Sequence, residues 1–236
     1  MLVRLRPRLA QVASLVSDGS VVADIGTDHA HLPLYLVEEK ACSRVIAVER
    51  SFLSSRLARE TVDFFDLNHK IEIRIGDGLL SLDKEDGVDV VVIAGLGGKT
   101  ICRLLQAAGG RLQQYKRLIL QPMRDTFLVR RWLAANGFCF PQEKLALEKG
   151  YFYEIIAAEK GRQNINEPIF WELGPTLLQN GDPLLIPWLE HKLKCCDQIL
   201  KGLLCSRKGK DDPRWRYFHL RYNSLKGVLN DVCRRE

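Results

Sequence analysis

Five short runs of β-branched and aliphatic residues punctuate the first 121 residues, with helical stretches spaced among them. That pattern leaves few folds open. Ser20–Ile25 is a strand that ends at Gly26, and Arg44–Glu49 is a second. Lys70–Gly76 alternates apolar and polar residues as a third. Val88–Ala94 is the most apolar run, expected at the centre of a sheet covered on both faces. Arg117–Gln121 is the fifth. Helices are expected over 31–40, 51–66 (with Ser51 as N-cap), 98–108 and 124–136, the last ended by Asn136-Gly137. Residues 138–147 and 151–158 read as an antiparallel pair turning at Lys149-Gly150. The expected fold class is therefore α/β, a doubly wound Rossmann-like sheet with an antiparallel edge. An N-terminal helix with Leu5, Leu9, Val12, Ala13 and Val16 on one face should cover the sheet edge near its ligand.

The pattern changes near residue 160. Residues 159–166 are polar and read as a linker, so the expected domains are 1–160 and 161–236. Beyond the linker two apolar stripes share a 3-4-3-4-3 spacing: Ile186 to Leu203 and Trp215 to Val232. Between them lies the turn-like Ser206–Pro213, so an antiparallel helical hairpin of coiled-coil type is expected. Pro183 and Pro213 suit helix starts. The charge is uneven as well. Residues 1–159 hold 21 basic and 20 acidic side chains, and residues 160–236 hold 14 and 9. Almost all of the net +6 thus lies in the last third, which suggests a polyanionic partner such as nucleic acid. Lys192, Lys194, Lys201, Arg207, Lys208, Lys210, Arg214, Arg216 and Arg221 are candidates to track phosphates. The competing readings are a solvated helical surface and a dimerisation device.

Seven cysteines without CxxC spacing read as reduced thiols, and no metal site is expected. No apolar run reaches the length of a membrane span, and Arg4, Arg6 and Arg8 interrupt any signal-peptide core. A cytoplasmic protein, monomer or weak dimer, is expected.

The first strand delivers Asp24-Ile-Gly-Thr-Asp-His29 to the edge where such sheets bind nucleotide-like cofactors. Gly26 lets the backbone turn and approach a ligand. The GxGxxG spacing is absent, and two carboxylates would repel a pyrophosphate, which argues against a nicotinamide cofactor. A cofactor bearing an ammonium, such as S-adenosylmethionine, matches Asp24 and Asp28 better. Glu49, ending the second strand, can accept from ribose hydroxyls. Asp77, beside Gly78, can accept from an adenine amine. The competing reading makes Asp24 a helix cap and Asp77-Gly78 a turn. The fourth strand leads into Ala94-Gly-Leu-Gly-Gly98, whose narrow loop would face methyl group and substrate. Ala94 and Gly95 are assigned to the cofactor, and Leu96, Gly97 and Gly98 to the substrate. Gln121 and Pro122 flank the same cleft.

Ala23-Asp-Ile-Gly-Thr-Asp-His-Ala-His-Leu-Pro33, Ile93-Ala-Gly-Leu-Gly-Gly98, Leu118-Ile-Leu-Gln-Pro122, Glu143-Lys-Leu145 and Tyr153-Glu-Ile-Ile156 occur in that order. Together they resemble the bacterial tRNA (adenine-22-N1)-methyltransferase family over about residues 5–160. Leu96 replaces the family's methionine, and Met123 stands where many members carry asparagine. The resemblance implies S-adenosylmethionine as donor, tRNA as partner and Arg8 in the substrate cleft. Adenine N1 carries an in-plane lone pair and needs no general base, so alignment is the main catalytic demand. Asp28 is then a candidate to stabilise the charge developing on the base, with His29 orienting it or touching the base. A helix cap is the competing reading of His29. Methylation of another RNA base or a small molecule, and non-catalytic RNA binding, remain alternatives.

Overall fold

The computed structural model describes residues 3–234. Two compact units emerge, Met1–Asn164 and Ile165–Glu236. The first runs α1 (Pro7–Ala13), β1 (Val21–Ile25), α2 (His31–Glu39), β2 (Arg44–Glu49), α3 (Phe52–Phe64), β3 (Ile71–Ile75), β4 (Val90–Leu96), α4 (Gly98–Ala108), β5 (Arg117–Pro122), α5 (Thr126–Ala135), β6 (Phe138–Glu148) and β7 (Tyr151–Lys160).

The strands form one sheet in the order β3-β2-β1-β4-β5-β7-β6. The first five pair in parallel and β7 and β6 close the edge antiparallel. Val45–Val48 and Val90–Ile93 are buried throughout, as continuous apolar runs require when helices cover both faces. Chain order reverses between β1 and β4, the switch point at which open α/β sheets bind ligands beyond the carboxyl ends of the strands. Ser51 caps α3 by accepting from the Ser54 N–H. α1 is shorter than its apolar spacing suggests: Pro7 starts it, and Leu15 and Val16 reach the core from the turns that follow.

One buried feature was not anticipated. Arg130 on α5 is fully buried and bonds Glu143 on β6 and Glu154 on β7, each at 2.7 Å. Burial opposes its charge, but the two glutamates outweigh that and hold its pKa above the ordinary value.

The second unit holds α6 (Pro168–Leu173), α7 (Leu185–Leu204) and α8 (Pro213–Cys233). α6 was not anticipated, because its six residues are too few to show a period. Leu189, Cys196, Leu200 and Leu203 of α7 and Leu225 and Val232 of α8 are buried, following the spacing read from the sequence. Asp212 caps α8 and Pro213 occupies its first position. Glu172 ties α6 to both long helices: Arg221 donates to it at 2.8 Å and Lys192 lies 3.5 Å away. Those two cations therefore serve the fold. Lys194, Arg207, Lys208, Lys210 and Arg216 are exposed.

Candidate active site

A cavity of about 430 Å³ opens at the switch point. Arg8, Asp24, Gly26, Asp28, His29, Glu49, Ala94, Gly95 and Leu96 all line it, as do Thr27 and His31. Its size is that of a small-molecule site.

Asp24 is the fourth residue of β1 and is only 4% exposed. Burial pushes its carboxyl up to about 6; the Thr27 hydroxyl beside it opposes the shift, and Glu49 adds to it. The Thr27 hydroxyl oxygen is itself buried with no partner at hydrogen-bond geometry. Gly26 follows at φ +82, a conformation that favours glycine, and its N–H donates to the Val48 carbonyl at 2.8 Å. Glu49 is oriented by its surroundings: it accepts from the N–H groups of Arg50 at 2.9 Å and Ser51 at 3.1 Å. Asp28 and Ala30 both adopt the left-handed conformation, which turns Asp28 and His29 outward at the cavity mouth. Asp28 Oδ2 lies 3.6 Å from His29 Nε2, and the rings of His29 and His31 stack with centroids 5.7 Å apart.

Other predicted site residues are not part of the cavity lining. Asp77 is exposed and, like Gly78, lies outside the cavity lining. Gly78 has a packing role: at φ +61 a Cβ would meet Leu104 Cδ2 at 2.8 Å. Gly97 is the N-cap position of α4. Gly98 is buried, its N–H donates to the Arg124 carbonyl, and a Cβ there would sit 2.5 Å from the Asp125 carbonyl oxygen. Its role is close packing of loops and not an open amide. Pro122 is buried too.

Gln121 is the largest departure from its expected role. It is fully buried and stands directly behind the cavity lining. Its side-chain carbonyl accepts from Arg8 Nη1 at 2.5 Å and from the Gly95 N–H at 3.0 Å. Its amide donates to the Pro122 carbonyl at 3.0 Å. It thereby fixes two lining residues from behind, one on α1 and one on the β4 loop. Replacing Gln121 by leucine strips both donors of their acceptor. The expected result is a catalytic rate lower by roughly tenfold, with cofactor affinity nearly unchanged. Gln121→Glu keeps the acceptor but loses the donor to the Pro122 carbonyl, so it should recover only part of the rate; single-turnover kinetics and calorimetry read the two quantities.

The residues present fit S-adenosylmethionine. A buried acid and a second, anchored carboxylate face one cavity, with the buried Thr27 hydroxyl beside the first. Among the described residues, no group of three or more His, Cys, Asp or Glu could hold a metal. No helix among them is long and apolar enough to cross a membrane.

Sheet order and acid-lined switch point define a Rossmann-fold methyltransferase, and residues 5–156 match the model of a methyltransferase domain. Within that class the chain belongs to the tRNA (adenine-22-N1)-methyltransferase family. It is 39% identical over 161 residues to the Bacillus subtilis (strain 168) tRNA (adenine(22)-N(1))-methyltransferase, a match covering 67% of this chain and 66% of that enzyme. The crystal structure of Streptococcus pneumoniae Sp1610 in complex with S-adenosyl-L-methionine superposes with a TM-score of 0.86 at 31% identity, covering 96% of this chain and 100% of that one. The crystal structure of the B. subtilis M1A22 tRNA methyltransferase TrmK gives 0.83 at 29% identity, covering 96% and 99%.

Proposed function

We propose that this chain transfers a methyl group from S-adenosylmethionine to N1 of adenine 22 in tRNA, in the cytoplasm, as a monomer or weak dimer. The observation that carries this is the cavity at the β1/β4 switch point, with buried Asp24 and anchored Glu49 facing it. Family membership and the S-adenosylmethionine bound by the S. pneumoniae neighbour support the same donor. When bound, the cofactor supplies an electrophilic methyl group on a sulfonium.

Asp24 and Glu49 hold the cofactor's ammonium and ribose, respectively, with the Thr27 hydroxyl and Gly26 beside them. Asp77, exposed one strand further out and beyond the lining of the cavity, serves the adenine amine at the outer end of the cofactor. Ala94 and Gly95 line the methyl side, and Leu96 and Gly97 border the entering base. Adenine N1 attacks in line with no base to assist it, so the chain's task is to align the two reactants and exclude competing geometry. Asp28 stands at the mouth, where its carboxylate offsets the positive charge that grows on the methylated ring. His29 sets the orientation of that carboxylate. Arg8 lines the cavity, its guanidinium held for a nucleotide phosphate. The exposed cations of unit Ile165–Glu236 take phosphates of the folded RNA by shape and charge. A paired adenine must be extruded before it can enter.

Asp24 gives this assignment a pH signature. Its native pKa of about 6 exceeds the unfolded value of 3.8, so the folded state favours the protonated acid. The penalty is absent below about pH 4, present in full above about pH 6, and relieved as pH falls between them. Asp24→Asn should therefore stabilise the cofactor-free protein at pH 7.5, by about 1–3 kcal/mol. The same variant should lose cofactor affinity, because an ammonium needs the ionised form. In the wild-type chain, affinity for S-adenosylhomocysteine should fall about tenfold between pH 7 and pH 5. Thermal melts and calorimetry across that range measure both. Methyl transfer to unmodified tRNA, read as 1-methyladenosine, tests the function itself.

A further inference from the structure

The β6–β7 hairpin overhangs the cavity edge. β7 pairs with β5 only from Leu118↔Ala158 to Leu120↔Ile156, yet it starts at Tyr151, and β5 ends at Pro122. In antiparallel register the hairpin thus projects about three residues, roughly 10 Å, beyond the carboxyl end of β5. That is the edge on which the cavity opens. The tip is rigid: Lys149 at φ +51 and Gly150 at φ +81 make the two-residue turn that matches strand twist, closed by the Glu148↔Tyr151 pair.

The tip is also stitched to the cavity wall. The Arg8 N–H donates to Glu148 Oε2 at 3.2 Å, and its guanidinium lies 5.8 Å from the centre of the Tyr153 ring. Yet the outermost side chains have nothing to cover them. Tyr151 is 69% exposed on the face it shares with Glu148, and Leu147 is 42% exposed on the opposite face. At the end of β5 and the start of α5, Met123 is 47% exposed and Phe127 41%. Lys149 forms the turn itself, Arg124 follows Met123 at the end of β5, and Arg6 Nη1 lies 3.9 Å from Glu148, the largely buried cross-strand partner of Tyr151; all three cations are exposed.

We propose that this hairpin tip and the β5–α5 turn form an RNA-contact surface on the methyltransferase unit itself. Tyr151 stacks on a nucleotide flanking the target adenine, and Lys149, Arg124 and Arg6 take the neighbouring phosphates. The proposal rests on the reading that the substrate is tRNA. Charge decides the occupant: a rigid aromatic platform ringed by cations suits unpaired nucleotides, and repels a second copy carrying the same cations.

The test compares Tyr151→Ala, Tyr151→Trp and Lys149→Asn with the wild-type chain, the asparagine being chosen because it tolerates the left-handed turn. For Tyr151→Ala, the KM for tRNA should rise roughly tenfold, with S-adenosylhomocysteine affinity and melting temperature unchanged. Tyr151→Trp should keep the wild-type KM. Lys149→Asn should reduce the salt dependence of tRNA binding by about one phosphate's worth. An unchanged KM in Tyr151→Ala overturns the proposal. So does an unchanged KM accompanied by loss of a wild-type dimer in light scattering, which would assign the patch to self-association. Should the wild-type chain transfer no methyl to tRNA, the functional reading fails separately. Filter binding of tRNA then reads the surface alone, and equal affinity of Tyr151→Ala and wild type overturns it.

Discussion

Asp28→Asn should lower kcat for tRNA methylation by about a hundredfold while leaving S-adenosylhomocysteine affinity within a few-fold of wild type. The substitution keeps the shape of the side chain and tolerates the left-handed backbone that Asp28 adopts at φ +52. It removes only the charge. Asp28 is 70% exposed in the open cavity, so its carboxylate does little for the fold. Once a base covers the mouth, water is excluded and the same carboxylate faces a ring that becomes cationic as the methyl group arrives. Its effect is thus concentrated in the transition state, which predicts loss of turnover and not of cofactor binding. Single-turnover rates with calorimetry on the same preparation separate the two. An equal loss of both would make Asp28 a cofactor ligand instead.

Arg130→Leu should destabilise the protein by about 3–5 kcal/mol. The guanidinium is fully buried against Glu143 and Glu154, and its removal leaves two carboxylates facing each other away from water. A loss of that size should lower the melting temperature by about 10 °C or more in a chain of this length. The pairing itself contributes less than its removal costs, because burying three charges is expensive to begin with. Combining Arg130→Met with Glu143→Leu and Glu154→Leu should accordingly recover much of the loss. Failure of the triple variant to recover would show that the network also sets the geometry of the β6–β7 hairpin.

The strands were legible because their β-branched runs are short, apolar and bounded by glycine or acid, and each emerged within a few residues of its expected ends. Asp24, Gly26, Glu49 and the Ala94–Leu96 loop were legible for a related reason: in a doubly wound sheet the carboxyl end of a strand is itself a position in space. Asp77 also follows a strand end, yet it lies outside the cavity lining. Gln121 could not be placed, because its role depends on Arg8, 113 residues away. A hint was present in a lone amide ending the apolar run Leu118-Ile-Leu120. Arg130 left a similar trace. With Thr126, Val129 and Leu133 it occupies the buried face of α5, and a charge at a core position calls for a buried partner. Met123 was read as the position where many family members carry asparagine, and Tyr151 only as the start of a strand, since exposure at an overhang depends on how far neighbouring strands extend.

The most direct test is transfer from methyl-labelled S-adenosylmethionine to unmodified tRNA, followed by nucleoside mass spectrometry and mapping of the modified position. Label in 1-methyladenosine at position 22, abolished when that adenine is replaced by guanine, is the predicted result. Label in another nucleoside, or none while S-adenosylhomocysteine still binds, would contradict the assignment of adenine N1 as the acceptor.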